Sequence, residues 1–241
     1  MSVAVLGAGG PTGLACVQTL LEQGRSVRAV VRNPEKEANT LGALKSDWLE
    51  VVQGDVTNEE SLRQALLGCS GAIFAAAGKG KQAVQDVDFE GVGNVAQAAK
   101  DLGGFQRVVL VSSGLVTPAR RFHPIRIMLN SIVARGQLDA KWKGEELLRR
   151  SGVPYTIIRP GRLNNGAAGQ AELVADQGDK STGQVTRAEV AAACVAALSD
   201  PAAQNVTLEL TSKAPGGGSS VPPLEEQLRT LFKGLQPDKD S

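Results

Sequence analysis

The regular alternation of short apolar runs with helical segments is the feature that most constrains this chain of 241 residues. Parallel strands joined by helices need right-handed crossovers, which place helices on both faces of one sheet. Strands buried on both faces are nearly continuous in apolar residues, as these runs are. The pattern therefore predicts an α/β fold, a doubly wound parallel sheet. The predicted strands are 3–8, 26–31, 48–55, 71–77, 107–113, 155–160 and 205–210, and the predicted helices are 11–24, 34–44, 58–68, 82–102, a segment ending near 150, 187–199 and 223–233.

Two segments interrupt the alternation. Residues 114–133 and 162–185 each follow a predicted strand, and ligands of such sheets bind beyond the carboxyl ends of the strands. We therefore expect both segments to form walls of the substrate side. The stretch "APGGGSSVPP" (214–223) has the composition of a flexible connector and leads to the C-terminal helix. We interpret residues 1–241 as a single domain that includes this connector.

Composition excludes several classes of function. Lys and Arg number 26 and Asp and Glu 25, so no basic field favours nucleic acid. Two Trp, one Tyr and five Phe are few for stacking on bases. The single histidine and the spacing of Cys16, Cys69 and Cys194 do not fit a metal site, and we expect reduced, buried thiols. No apolar run is long enough for a transmembrane segment, and no signal peptide precedes the first strand.

The stretch "GAGGPTG" (7–13) lies between the first predicted strand and the first predicted helix. Glycines at its first, fourth and seventh positions permit a tight turn and close approach of the backbone to a diphosphate, and the helix N-terminus offers free N–H groups. The alternative is a glycine-rich turn without a ligand. The context favours a dinucleotide site formed by Gly7, Gly10, Pro11, Thr12 and Gly13.

The end of the second strand indicates which dinucleotide binds. A carboxylate there would accept from the ribose 2′-hydroxyl of NAD, but the sequence "VVRNPEK" places Arg32 at this point and Lys36 four residues later. Cations favour the 2′-phosphate of NADP(H), although Arg32 is alternatively a solvated surface charge. After the third strand, Asp55 and Val56 are candidates for contacts to the adenine, and Asp55 is alternatively a helix cap.

Several of these segments together resemble the atypical short-chain dehydrogenase/reductase family. They are similar to its NAD(P)H-binding branch, which includes NmrA-like proteins, the NADPH-binding component of the chloroplast import machinery and biliverdin or flavin reductases. The resemblance covers residues 2–212 and implies an NAD(P)-binding Rossmann fold. The segments are the glycines of 7–13, Arg32, Gly54-Asp55-Val56, "AAAG" (75–78), "VLVSS" (109–113) and "SGVPYTIIRPGRL" (151–163).

The resemblance also implies a catalytic constellation and further cofactor contacts. Reductases of the wider family use a Ser, a Tyr and a Lys, of which Ser113 and Lys141 match the first and the last. The segment "QLDAKWKGE" (137–145) places Gln137 at the tyrosine position, and an amide supplies no acidic proton near neutral pH. The remaining contacts that the resemblance implies are Ala76, Ala77, Gly78, Ser112, Ser113, Lys141, Pro160 and Gly161.

Five other assignments stay open from the sequence alone. Lys141 is either a cofactor ligand or a solvent-facing lysine, and Ser113 either touches the nicotinamide or satisfies the strand end. The only tyrosine, Tyr155, lies inside the sixth predicted strand, which favours packing over catalysis. Arg162 is a candidate for binding an anionic substrate. His123 is a candidate general acid, but a solvated loop residue is the simpler interpretation.

Three function classes follow from these residues. The first is an NADPH-dependent reductase of a flavin, quinone or other conjugated small molecule, in which water supplies the proton. The second is a catalytically inactive NADP(H)-binding redox sensor that reports to a protein partner. The third is a scaffold that retains only the fold. We favour the reductase, since bound NADPH beside an open acceptor pocket needs little further help. The resemblance to plastid proteins suggests a chloroplast stromal protein without its transit peptide; the alternative is a cytoplasmic protein.

Overall fold

A computed structural model describes residues 1–128, 130, 136–180, 183–214 and 220–239. Its elements follow the predicted alternation. The strands are β1 (Ser2–Leu6), β2 (Val27–Val31), β3 (Leu49–Gln53), β4 (Cys69–Phe74), β5 (Arg107–Val111), β6 (Tyr155–Pro160), β7 (Arg162–Asn164), β8 (Glu172–Asp176), β9 (Gln184–Thr186) and β10 (Val206–Lys213). The α-helices are α1 (Pro11–Glu22), α2 (Pro34–Leu41), α3 (Glu59–Leu66), α4 (Lys81–Val84), α5 (Gly91–Leu102), α6 (Pro124–Met128), α7 (Gln137–Arg150), α8 (Arg187–Ala197) and α9 (Leu224–Thr230).

The sheet confirms the doubly wound fold class. Its order is β3-β2-β1-β4-β5-β6-β10, and every neighbouring pair in this series is parallel. The direction of strand order reverses between β1 and β4, which opens a crevice at their carboxyl ends. The glycine turn after β1 and the segment after β4 meet at this point. The topology therefore places the predicted dinucleotide site at the switch point of the sheet.

The core lies on both faces of the sheet and fixes β1 from each side. Val3 and Val5 belong to a cluster formed largely with α1 and α8, whereas Ala4 and Leu6 belong to a second cluster formed with α3 and α5. This alternation follows from the period of two along a strand. Consecutive residues of β1 consequently anchor the turn that follows them to both halves of the core.

The structure differs from the sequence prediction at three places. The long helix predicted for 82–102 contains a π-helical stretch, Gln85–Glu90, between α4 and α5. Segment 162–185 holds the short strands β7, β8 and β9, of which β8 and β9 pair antiparallel to β10. Strand β3 is not buried on both faces, because it is the edge strand and its side chains are partly or fully exposed.

Two predicted segments lie partly outside the described residues. Of the connector 214–223, residues 215–219 are among those not described, and the described residues resume before α9. In segment 114–133, residues 129 and 131–133 are also outside. The three cysteines are buried and free, as expected.

Candidate functional site

The glycine turn after β1 is tightly built. Gly7 has a φ of +79°, and its carbonyl accepts a hydrogen bond of 2.9 Å from the N–H of Gly10. A β-carbon at Gly7 would lie 2.7 Å from the backbone of Ala76, and one at Gly13 would overlap the Gly7 carbonyl. A β-carbon at Gly10 would meet only the Gly7 oxygen, at 3.3 Å. Gly7 and Gly13 are therefore needed by the fold, whereas Gly10 leaves space above the turn.

The N-terminus of α1 offers donors to an anion. Gly10 is the N-cap, Pro11 occupies the first helical position, no side chain caps the helix, and its first turn has no acidic residue. The N–H groups of Thr12 and Gly13 therefore face no competing carboxylate of their own helix. These features fit the diphosphate of a dinucleotide, which would be held by the N–H groups of this turn.

The end of β2 carries two exposed cations. The side chains of Arg32 and Lys36 are both exposed, and Asn33 caps α2 by accepting from the N–H of Lys36 at 3.1 Å. In the part of the chain that the structure describes, neither Arg32 nor Lys36 forms an ion pair. Both charges thus remain available to a ligand at this end of the sheet.

In the segment after β3, the Asp55 side chain is engaged in hydrogen bonds within the protein. The Asp55 carboxylate accepts from the N–H and the hydroxyl of Thr57 at 2.9 and 2.8 Å, while Asn58 caps α3. Asp55 therefore closes a local turn and is not the cap of α3. Val56 is buried, and the side chain of Asn94 donates to its carbonyl at 2.9 Å.

Asp88 connects the segment after β4 to α7. This residue lies in the π-helical stretch and is 2% exposed. Its carboxylate accepts from the Gly78 N–H at 2.8 Å, forms an ion pair of 2.9 Å with Lys141 Nζ, and receives a long hydrogen bond from Gln137 Nε2 at 3.4 Å. Lys141 is thereby directed into the fold and is not a solvent-facing lysine. Ala77, beside Gly78, is exposed.

The two serines after β5 have different roles. Ser112 is buried, and its hydroxyl donates to Glu145 Oε1 at 2.5 Å. Ser113 is half-buried, and its hydroxyl donates to the neighbouring carbonyl of Gly114 at 3.1 Å. Asp88, Ser112 and Lys141 surround one narrow gap, too small for a water molecule, together with Phe74, Val92 and Leu110. The structure therefore brings the ends of β4 and β5 and the Lys141 side chain together.

One face of α7 carries the polar groups of this region. Gln137, Lys141 and Glu145 are spaced four residues apart, so they project from the same side of the helix. The first two contact Asp88, and Glu145 contacts Ser112 and Arg159. Helix α7 thus holds Gln137, Lys141 and Glu145 against the residues that follow β4 and β5.

Glu145 is the centre of a buried ionic network. It is fully buried and binds Arg159 through both carboxylate oxygens, at 3.1 and 2.6 Å, and Arg149 at 2.9 Å. Arg159 also contacts Glu209 at 3.4 Å. Burial would lower the pKa of Arg159, but Glu145 and its neighbouring carboxylates raise it above the ordinary value. Burial raises the pKa of Glu209, although Arg159 opposes this shift.

Asp179 joins the two segments expected to wall the substrate side. Its buried carboxylate accepts from the N–H of Leu115 at 2.5 Å and from the N–H and hydroxyl of Thr117 at 2.9 and 2.7 Å. Leu115 and Asp179 both have positive φ, 64° and 56°. Such left-handed backbone is costly for residues other than glycine, so these hydrogen bonds hold a strained connection.

The segment after β6 packs against residue 183. Pro160 ends β6, and a β-carbon at Gly161 would overlap the backbone carbonyl of Gly183. The close approach permitted by Gly161 is therefore to the protein's own backbone. Arg162 is exposed, and in the described part of the chain it makes no ion pair.

Tyr155 and His123 lie apart from this constellation. Tyr155 is the first residue of β6, at the amino end of the strand, and its hydroxyl hydrogen-bonds Asp238 at 2.9 Å. His123 precedes α6, and its buried Nδ1 has no hydrogen-bond partner among the residues described. Neither residue is brought into hydrogen-bond contact with Ser113 within that part of the chain.

Sequence reasoning missed Asp88, Glu145 and Asp179 as organisers of the site. Asp88 carries a readable signal, since it interrupts the apolar helical series Val84, Val92 and Val95 with a carboxylate. A charge at a core position implies a buried partner. The ion pair with Lys141 is that partner.

The described residues include neither a helix able to cross a membrane nor a cluster of side chains able to hold a metal ion. The fold and the glycine turn define a Rossmann-type dinucleotide-binding protein. Comparison with known proteins identifies the family: residues 7–201 match the NAD(P)H-binding family model, and the chain belongs to this family.

Individual relatives agree with this assignment. A chloroplast protein of Arabidopsis thaliana, named as uncharacterised, is 32% identical over 245 residues, which cover 91% of this chain and 72% of the relative. Sanguinarine reductase of Eschscholzia californica is 36% identical over 141 residues, covering 57% and 49% of the two chains. The oxidoreductase ylbE of Lactococcus lactis has the same fold, with a TM-score of 0.79, 18% identity and coverage of 99% and 100%. A short-chain dehydrogenase/reductase of Veillonella parvula, crystallised in complex with NADP, gives a TM-score of 0.70, 19% identity and coverage of 92% and 98%.

Proposed function

We propose that this chain is an NADP(H)-dependent reductase whose substrate is a flavin, a quinone or another conjugated small molecule. The observation that carries the proposal is the Asp88–Lys141 ion pair beside Ser112, at the strand ends where the glycine turn also lies. A reduced nicotinamide supplies a hydride when it is bound. A relative named as a reductase supports this reaction class.

The side chains of this constellation suit an acceptor that needs no protein acid. Gln137 stands where the wider family has a tyrosine, and its amide donates to Asp88 instead of carrying a transferable proton. Lys141, oriented by Asp88, would bind a ribose hydroxyl, and Ser113 would contact the acceptor or the nicotinamide. Water would then supply the proton to the reduced product.

Turnover tests the reductase assignment. We expect the wild-type protein to oxidise NADPH steadily with FMN or a quinone. The double variant Asp88→Asn/Lys141→Met removes both charges of the buried pair together, and we expect it to lower kcat/KM about a hundredfold. Lys143→Met, an exposed lysine on the same helix, is the control and should stay within about twofold of wild type. Tight NADPH binding without turnover on a broad acceptor panel would contradict the proposal.

NADP(H) is the cofactor that Arg32 and Lys36 favour within the NAD(P)H-binding family. We expect Arg32→Gln to weaken NADPH binding about tenfold and to leave NADH binding within about twofold, because only NADPH carries the 2′-phosphate. Isothermal titration calorimetry of both dinucleotides measures this difference. Arg187→Gln, at a half-buried arginine whose guanidinium donates to Asn165, serves as the charge-matched control. Equal effects of Arg32→Gln on both dinucleotides would contradict the assignment of the 2′-phosphate to Arg32.

The second candidate is a redox sensor that binds NADP(H) and reports to a protein partner. The hydrogen bond between Gln137 and Asp88 favours it, since this bond occupies the tyrosine position without providing an acid. Binding of NADPH with no turnover would select this candidate. For the location we propose the chloroplast stroma, supported by relatives named as chloroplastic, with the cytoplasm as the alternative.

A further inference from the structure

A carboxylate from α2 lies over the glycine turn. Glu37 is in the first turn of α2, and a β-carbon at Gly9 would lie 2.6 and 2.8 Å from its two carboxylate oxygens. The absence of a side chain at Gly9 is thus what admits the Glu37 carboxylate to this position. Glu35, in the same turn, is exposed.

This position is where the ribose of the adenosine lies in a dinucleotide fold. The ribose sits between the glycine turn and the end of β2, where a carboxylate accepts from its 2′-hydroxyl and a cation binds a 2′-phosphate. Here the end of β2 carries Arg32, so the usual carboxylate is missing from the strand. Glu37 brings a carboxylate to the same region from the following helix.

The charge of Glu37 is not neutralised by a neighbouring cation. In the described ranges of the chain, Glu37 takes part in no ion pair, and Arg32 and Lys36 do not reach it. A ligand between the turn and β2 would therefore meet cations on one side and a free carboxylate on the other. A 2′-phosphate is repelled by the carboxylate, whereas a 2′-hydroxyl can donate to it.

We infer that Glu37 is a specificity-determining residue for the adenosine ribose, which accepts from the 2′-hydroxyl of NADH and opposes binding of the 2′-phosphate of NADPH. The inference rests on the proposed dinucleotide site and concerns the selection that this site makes. Arg32 and Lys36 favour NADPH, and Glu37 reduces their advantage. The wild-type chain therefore binds both dinucleotides, with a narrower preference than its two cations alone would give.

The test compares two variants with the same change in charge. Glu37→Gln removes the carboxylate beside Gly9, and Glu35→Gln removes an exposed carboxylate from the same helical turn. We expect Glu37→Gln to strengthen NADPH binding about tenfold and to weaken NADH binding about threefold. Glu35→Gln should change either affinity by less than about twofold. Titrations with NADPH and with NADH are followed by nicotinamide fluorescence at constant ionic strength. They give two dissociation constants for each variant and two for wild type.

The outcomes separate this inference from the proposed function. Equal strengthening of NADPH binding by both variants would show a general surface charge effect and would overturn the role of Glu37. Unchanged NADPH affinity in Glu37→Gln would overturn it as well, while the dinucleotide site itself would stand. If wild type binds neither dinucleotide, the proposed function fails, and the role of Glu37 falls with it.

Discussion

Replacement of Glu145 by Gln is expected to lower the free energy of unfolding by about 3–5 kcal/mol, because the buried Arg159 guanidinium loses its two charged hydrogen bonds and keeps the longer contact to Glu209. Glu145 is fully buried, and Arg159 depends on it for two hydrogen bonds. Gln keeps the shape of the side chain but loses the charge and presents an N–H₂ group to the guanidinium. Urea denaturation followed by circular dichroism measures the change.

The neighbouring residue supplies a matched control for this prediction. Glu146 binds Arg149 and Arg150 but is 23% exposed. Glu146→Gln should cost about 1 kcal/mol or less, as is usual for ion pairs in contact with solvent. A loss below about 1 kcal/mol for Glu145→Gln would mean that the buried network contributes little to stability.

Alanine substitutions at Gly13 and Gly10 are expected to have different effects. Gly13→Ala should lower stability, whereas Gly10→Ala should weaken cofactor binding. Gly13→Ala places its methyl group against the Gly7 carbonyl, which is backbone and cannot rotate away. We expect it to lower the free energy of unfolding by about 2–3 kcal/mol, as α1 shifts from β1. Gly10 has an ordinary φ of −79°, so the free energy of unfolding of Gly10→Ala should stay within about 0.5 kcal/mol of the wild-type value.

Measuring NADPH affinity shows whether Gly10 is needed for binding the cofactor. In Gly10→Ala the methyl group stands in the space above the turn, where a diphosphate would approach, so NADPH binding should weaken about tenfold or more. Calorimetric titration at a temperature where both variants are folded gives this value. Wild-type affinity in Gly10→Ala would indicate a glycine-rich turn that no phosphate approaches.

The repeating pattern of the sequence was sufficient to predict the main sheet. Apolar runs such as 3–8 and 107–113 predict buried strands, because strands covered on both faces carry mostly apolar residues. The short strands β7 and β9 could not be predicted, since three residues carry no period and their pairing depends on distant partners such as β10. The π-helical stretch was also missed, because its sequence has the same apolar spacing as an α-helix.

Local sequence is enough to propose the residues around the glycine turn as a cofactor site, but it does not reveal the buried partners of Lys141 and Ser112. Gly7, Gly13 and Arg32 are identified by their positions relative to a strand end, which local sequence reveals. The partners of Lys141 and Ser112 come from other elements, Asp88 from the π-helical stretch and Glu145 from α7. The position of a buried charged side chain depends on the group that neutralises it. The two members of such a pair are far apart in sequence here, so local sequence does not reveal them.

The anchoring of β1 to both faces of the core has a practical consequence for measurements on this protein. Since consecutive residues of the strand pack into opposite clusters, the glycine turn cannot come loose without disturbing both. A dinucleotide bound at that turn should therefore raise the melting temperature of the whole domain in a single cooperative step. At a ligand concentration of a hundred times Kd the added stability is about 2.7 kcal/mol, so thermal shift alone can rank cofactors and variants.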